Sequence, residues 1–208
     1  NYSQIIEAES ASNVVYPPKY LAEQASVAAT IYRSLLSIAF FLGVGYLFFK
    51  RIDIILILTA TIFFHEAGHY FAMRYYHYAD LGIFFVPILG AFVSGSKREV
   101  SQKQNAVILM AGPLPGIILG LTLYFIDKNM DGGWYWGDIS VYYVSILLLF
   151  LNLFNLLPVY PLDGGQLLNR VFLDEEGFWS KIFVWISAIV FAVLAFISGL
   201  YILLLLPL

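Results

Sequence analysis

The sequence predicts an α-helical polytopic membrane protein of five to six transmembrane helices, with a short re-entrant or β-strand insertion between the second and the third. Three observations carry that reading. Hydrophobic residues fill 61% of the 208 positions and charged residues only 12%, against about 25% charged in an ordinary soluble domain. Apolar runs of bilayer length recur along the chain, bounded by charged, aromatic or turn-forming residues. One further apolar stretch, 81–95, contains Pro87 and Gly90, which disfavour a straight helix. The net charge of -3 gives no reason to invoke a nucleic-acid partner; the lipid bilayer is the partner that composition demands. Cysteine is absent, so disulfides and thiolate ligands are excluded. Any transition metal must be held by histidine and carboxylate.

Residues 1–26 read as a polar N-terminal arm at the membrane surface, with Glu7, Glu9, Glu23 and the Tyr16-Pro17-Pro18 break. Residues 27–53 supply the first transmembrane segment, 27–49, and a loop. Arg33 lies near one end of that span and snorkels to the headgroups on this reading, and Lys50-Arg51 closes it. Asp53 is placed to cap the second helix, 54–73. Arg74 with Tyr75, Tyr76 and Tyr78 marks an interface. The broken stretch 81–95 reads as extended chain at membrane depth, an edge strand able to accept an extended peptide; a hydrophobic interfacial loop is the competing reading.

Ser101-Gln102-Lys103-Gln104 is a capping box opening a third helix, 105–126. Within it Gly112, Gly116 and Gly120 recur at spacing four and read as helix-packing positions. Trp134-Tyr135-Trp136 marks an interfacial loop over 127–138. Asp138 is the expected cap of the fourth span, 139–157, which contains Asn152 and Asn155. That span runs into Pro158, Pro161, Asp163, Gly164 and Gly165, which end the helix in apolar surroundings. Residues 166–173 suggest a short helical return. Residues 174–208 comprise a solvated acidic loop, Asp174-Glu175-Glu176, and a C-terminal span, 178–206. At ~1.5 Å per residue that span is long enough to tilt or to break at Gly199.

Lysines and arginines set the expected orientation. With the N-terminus inside, the cytoplasmic loops hold Lys19, Arg74, Lys97, Arg98, Lys103, Arg170 and Lys181, and the far side holds Lys50, Arg51 and Lys128. Seven against three favours that arrangement.

The chemistry concentrates in His65-Glu66-Ala67-Gly68-His69, near the end of the apolar run 54–73. Positions i and i+4 of a helix share a face, so both imidazoles reach one cation. Glu66 adjoins the first ligand without occupying a coordination position, which suits a general base. This is the His-Glu-x-x-His zinc-peptidase pattern. The plain alternative is a pair of packing histidines with a chance glutamate, but three ionisable groups in a bilayer-length segment are expensive unless used.

A catalytic zinc usually takes three protein ligands. Tyr75 stands where the longer pattern His-Glu-x-x-His-x-x-Gly-x-x-His would place a third histidine. His77 follows the helix among tyrosines and reads as interfacial. Of the carboxylates, Asp163 alone besides Glu66 is embedded in apolar sequence, 94 positions after His69. An aspartate there is costly unless it meets a cation, although an Asp-Gly-Gly turn would also use it.

His65-Glu66-Ala67-Gly68-His69, taken with Asn155-x-x-Pro158-x-x-Pro161-Leu162-Asp163-Gly164-Gly165, resembles the site-2 protease family of intramembrane zinc metalloproteases. Ala111-Gly112-Pro113 and the 87–90 stretch add to the likeness, which covers roughly 54–173, the catalytic core. The resemblance implies that His65, His69 and Asp163 bind one zinc ion and that Glu66 is the base. It implies that Asn155 helps bind substrate or steady the oxyanion. It also implies a substrate-aligning strand around Gly90, Ala91 and Phe92. The partners expected are a transmembrane protein substrate and a membrane-bound regulator. The expected setting is a prokaryotic inner membrane, with the site toward the cytoplasm. The chain departs from many relatives in carrying no PDZ-like insertion and in having Gly90-Ala91 where a Gly-Gly pair is common. Rival readings are a prenyl-protein protease, which would enlist Glu99, Glu175 or Glu176 as third ligand, and a non-catalytic metal-binding membrane protein.

Overall fold

The computed structural model describes residues 26–87, 89–130, 132–173 and 177–198. The arm expected over 1–26, apart from Ser26, lies outside the described residues, as do the acidic run 174–176 and the expected break at Gly199.

Ser26 accepts a hydrogen bond from the Ala29 N–H and so caps α1, Val27–Phe49. The second helix, α2, spans Ile52–Tyr75. Asp53 does not cap it. Arg51 occupies the cap position, and Asp53 lies inside the first turn, paired with the Arg51 guanidinium. A carboxylate there still complements the positive end of the helix dipole.

The broken apolar stretch folds as an antiparallel hairpin of β1, Ala79–Val86, and β2, Gly90–Ser96. Pro87 falls in the turn, where it has no ladder bond to lose, and Gly90 adopts φ 110, which side-chain-bearing residues rarely take. The capping box forms as the sequence predicts: Gln104 N–H donates to Ser101 Oγ, and Ser101 N–H to Gln104 Oε1. The single third helix does not. The axis breaks at Gly112, leaving α3, Gln102–Ala111, and α4, Pro113–Lys128. Pro113 has no N–H to continue a helix but suits the first position of a new one.

Strands β3, Tyr135–Trp136, and β4, Ile139–Ser140, form a two-residue ladder before α5, Val141–Asn155. Ser140, not Asp138, caps α5 by accepting from the Tyr142 N–H. At ~1.5 Å per residue α5 is only about 22 Å long, so the chain leaves it while still at membrane depth. It loops through Pro158 and Pro161 into α6, Asp163–Leu167, and one π-helical turn, Leu168–Phe172. The last described helix is α7, Phe178–Ser198.

Among the described residues three helical stretches are long and apolar enough to cross a membrane: Val27–Phe49, Ile52–Tyr75 and Gln102–Lys128. Two shorter apolar helices, Val141–Asn155 and Phe178–Val190, accompany them. Large apolar side chains such as Leu35, Phe40 and Phe48 point outward, as lipid rather than water requires. The chain is an integral membrane protein.

Three contacts position the site. Phe41 of α1, Ile62 of α2 and Phe85 of β1 are buried together, with the Phe41 and Phe85 rings edge-to-face at 5.4 Å. The Phe85 N–H also donates to Ser37 Oγ of α1 at 3.0 Å, so α1 covers the outer edge of β1. On the other side, α7 grips the loop after α5 with two buried serines seven positions apart on one helix face. Ser187 Oγ accepts from the Tyr160 N–H at 3.1 Å, and Ser180 Oγ donates to Asn169 Oδ1 at 2.6 Å.

Candidate active site

Helix α2 presents His65 and His69 one turn apart, both buried, with their rings edge-to-face at 4.8 Å. Asp163 arrives from the loop after α5. That loop folds tightly onto the end of α5, where a side chain on Gly164 would begin 2.1 Å from the Leu156 carbonyl oxygen. Only glycine permits the approach, and it swings Asp163 back against α2. Asp163 Oδ2 lies 3.0 Å from His65 Nε2 and 3.2 Å from His69 Nε2, and the two Nε2 atoms are 3.1 Å apart.

The proton positions follow from the outer partners. His69 Nδ1 lies 2.8 Å from the Ile108 carbonyl oxygen, which only accepts, so Nδ1 carries the hydrogen. His65 Nδ1 lies 2.8 Å from Asn152 Oδ1. The Asn152 amide nitrogen donates to the Leu148 carbonyl at 2.7 Å, which fixes which end of the amide faces the ring. Both Nδ1 atoms therefore donate outward, and in its neutral form each imidazole turns a bare Nε2 lone pair toward the other ring and toward a carboxylate oxygen.

In that form three acceptors face one another, an arrangement that a cation would satisfy. His65, His69 and Asp163 form a group able to hold a metal ion. Their triangle of 3.0 to 3.2 Å approaches the spacing of about 3.3 Å between ligand atoms bound ~2.0–2.1 Å from a tetrahedral zinc. Nitrogen and oxygen donors without thiolate also suit zinc. The residues fit the ion.

Glu66 is buried beside them, 7% exposed, in a segment where an idle carboxylate would be costly. His65, Glu66, His69 and Asp163 line a cleft of about 680 Å³, and so do Asn155, Gly90, Ala91 and Phe92. Every site residue expected from the sequence thus faces one cavity. Asn155 uses one amide N–H on the Leu151 carbonyl at 3.1 Å, leaving its second N–H and its oxygen for the cleft. His77 lines a separate pocket with Arg74 and Lys97. Glu99 is exposed and lies outside the cleft; Glu175 and Glu176 are outside the described residues.

The hairpin turns a defined set of backbone groups to the cleft. Phe85 lies opposite Ala91, and the Phe85 N–H points away from β2, to Ser37. Directly opposed residues in an antiparallel pair either both face inward or both face outward. Ala91 therefore presents its N–H and C=O to the open edge of β2, and so does Val93, opposite Ile83. Gly90 and Phe92 pair inward with Val86 and Phe84.

Sequence reasoning missed the outer partners of the imidazoles. Asn152 was visible only as a polar residue three positions before Asn155, on the same face of α5. Gly112 read as helix packing, yet a side chain there would begin 2.2 Å from His69 Nε2. The break at Gly112-Pro113 lets α3 end against the ring, with the Ile108 carbonyl on its Nδ1.

Residues 53–132 match the model of Peptidase family M50. A zinc metalloprotease of Methanocaldococcus jannaschii is 29% identical over 127 residues, 59% of this chain and 35% of that protein. Stage IV sporulation protein FB of Bacillus subtilis is 26% identical over 124 residues, 60% of this chain and 42% of that protein. The chain thus spans well under half the length of these relatives. The solved site-2 protease from Methanocaldococcus jannaschii superposes with a TM-score of 0.57 at 24% identity, covering 85% of this chain and 83% of that one. That likeness carries the fold. The match to Peptidase family M50 includes the helix bearing His65, Glu66 and His69, and the surrounding helices and hairpin share the fold of the solved site-2 protease.

Proposed function

We propose that this chain is an intramembrane zinc metalloprotease that hydrolyses peptide bonds within or beside transmembrane segments of membrane-protein substrates. The observation that carries the reading is the convergence of His65 Nε2, His69 Nε2 and an Asp163 carboxylate oxygen beside buried Glu66, in a cleft bordered by an open strand edge. His65, His69 and Asp163 would hold a zinc ion, which when bound would supply Lewis-acid polarisation of the scissile carbonyl and a more acidic attacking water. Glu66 takes the proton of that water as the C–O bond forms and delivers it to the amine nitrogen as the C–N bond breaks. A helical substrate hides its carbonyls in its own hydrogen bonds, so it must unwind first. Ala91 and Val93 pair with the unwound segment and hold it extended over Glu66. Asn155 offers an N–H to the substrate carbonyl or to the charge that develops on it.

The charge count along the loops supports an orientation with the site toward the cytoplasm, and the prokaryotic sources of the relatives support a prokaryotic cell membrane as the setting. A prenyl-protein protease is the weaker reading, because Asp163 rather than a glutamate meets the histidines. The test is cleavage by purified protein of a panel of single-span substrates, with a prenylated peptide as the rival. Cleavage of the single-span panel, abolished by chelation and restored by zinc, is the expected result. Turnover of the prenylated peptide alone would reverse the assignment.

A further inference from the structure

The side chain of Asn152 is fully buried in an apolar helix and makes two hydrogen bonds, one to its own helix at the Leu148 carbonyl and one to His65. The first holds the amide in a single orientation. The second places an acceptor on His65 Nδ1, forcing the hydrogen onto that nitrogen and leaving Nε2 bare. An imidazole in this setting has two tautomers, and only one directs a lone pair at Asp163 and His69.

The amide is itself held by a gap in the facing helix. A side chain on Gly116 of α4 would begin 2.2 Å from Asn152 Nδ2, 2.4 Å from its Cγ and 2.5 Å from its Oδ1. No real contact is that short, so any residue larger than glycine displaces the amide from His65. Gly116 makes this approach from a third element, α4, which bears none of the groups that converge on the cation.

We propose that Asn152 is a positioning residue of the metal centre and that Gly116 acts through it, the glycine giving the amide room to select the metal-binding tautomer of His65. The partner is neutral where many metal-bound histidines have a carboxylate. A carboxylate would make His65 more basic and the bound ion less electrophilic. The amide therefore orients the ring while leaving the cation its full polarising power.

The inference rests on His65 being a ligand, and the test separates the two claims. The purified full chain is titrated with zinc against a chelator, and its cobalt-substituted form is examined by visible absorption. If the unaltered protein binds no metal, the ligand reading itself fails. Given binding, Asn152→Leu, similar in volume but unable to accept, should weaken zinc affinity by about 10- to 100-fold and alter the cobalt spectrum. Asn152→Asp keeps an acceptor on Nδ1 and should recover most of the affinity.

A second arm tests the glycine, and stands alone if Asn152→Leu does not fold. Gly116→Ala should weaken zinc binding in the otherwise unaltered protein, yet add nothing in an Asn152→Ala background, where the amide is gone and the methyl group has room. Unchanged affinity and spectrum in Asn152→Leu would overturn the proposal. So would losses from Gly116→Ala and Asn152→Ala that simply add.

Discussion

Phe85 and Ala91 lie opposite each other in the hairpin with their backbone polar groups turned apart, the Phe85 N–H to Ser37 on α1 and the Ala91 groups to the cleft. Helix α1 therefore closes one edge of the two-stranded sheet and leaves the other open. On the proposed reading the open edge, with Ala91 and Val93, is the one that substrate would pair with. The packing of Phe41 on Phe85 holds that arrangement in place.

Proline at a substrate-pairing position removes the outward N–H. Ala91→Pro and Val93→Pro should therefore slow cleavage while zinc content stays at that of the unaltered protein. Phe92→Pro removes a bond to β1 instead and should loosen the hairpin, seen as faster amide exchange in β1. Phe92→Ala leaves the backbone intact and should do less harm to cleavage. Normal cleavage by both Ala91→Pro and Val93→Pro, with zinc retained, would show that this edge does not hold the substrate.

Asp163, which follows the loop after α5, is the third ligand in the proposed site. Asp163→Ala leaves two histidines, and elemental analysis should find zinc content reduced or its coordination altered. Asp163→Asn keeps the shape but lowers donor charge, and an intermediate loss is expected. Full occupancy with unchanged X-ray absorption in Asp163→Ala would remove Asp163 from the metal centre.

Ser187 satisfies the Tyr160 N–H three residues before Asp163. A fully buried donor left without a partner costs about 1–3 kcal/mol; the Tyr160 N–H is part-buried, so a smaller cost falls on the loop that leads to Asp163. Ser187→Ala should lower thermal stability and weaken zinc affinity together, and Ser187→Thr should restore both. Zinc titration of the three proteins checks this; equal affinities would make α7 a bystander to the site.

Much of this was legible in the chain, because the strongest signals are local. The apolar runs give the spans, Ser101-x-x-Gln104 gives the start of α3, and His65 and His69 share a face by spacing alone. What escaped depends on contacts between elements. Asp53 and Asp138 have the chemistry of caps, but Asp53 lies inside the first turn, paired with Arg51, and Ser140 lies two residues closer to the start of α5. Asn152 carries no motif, and its role exists only where α5 crosses α2. The inward and outward residues of β2 were equally hidden, since their alternation depends on the register of the hairpin, which shows in the Phe85 N–H turning out to Ser37, 48 positions away. The break at Pro113 was visible in principle, as a proline inside a helical run.

The most direct measurement of the central claim is zinc content and single-span substrate cleavage in Glu66→Gln, compared with the unaltered protein. The substitution keeps the side chain's shape and leaves His65, His69 and Asp163 in place, but removes the group that moves the proton. Zinc should remain at one ion per chain while turnover falls by roughly 10²-fold or more. Appreciable cleavage by the zinc-loaded Glu66→Gln protein would contradict the account, because some other group would then have to carry the proton.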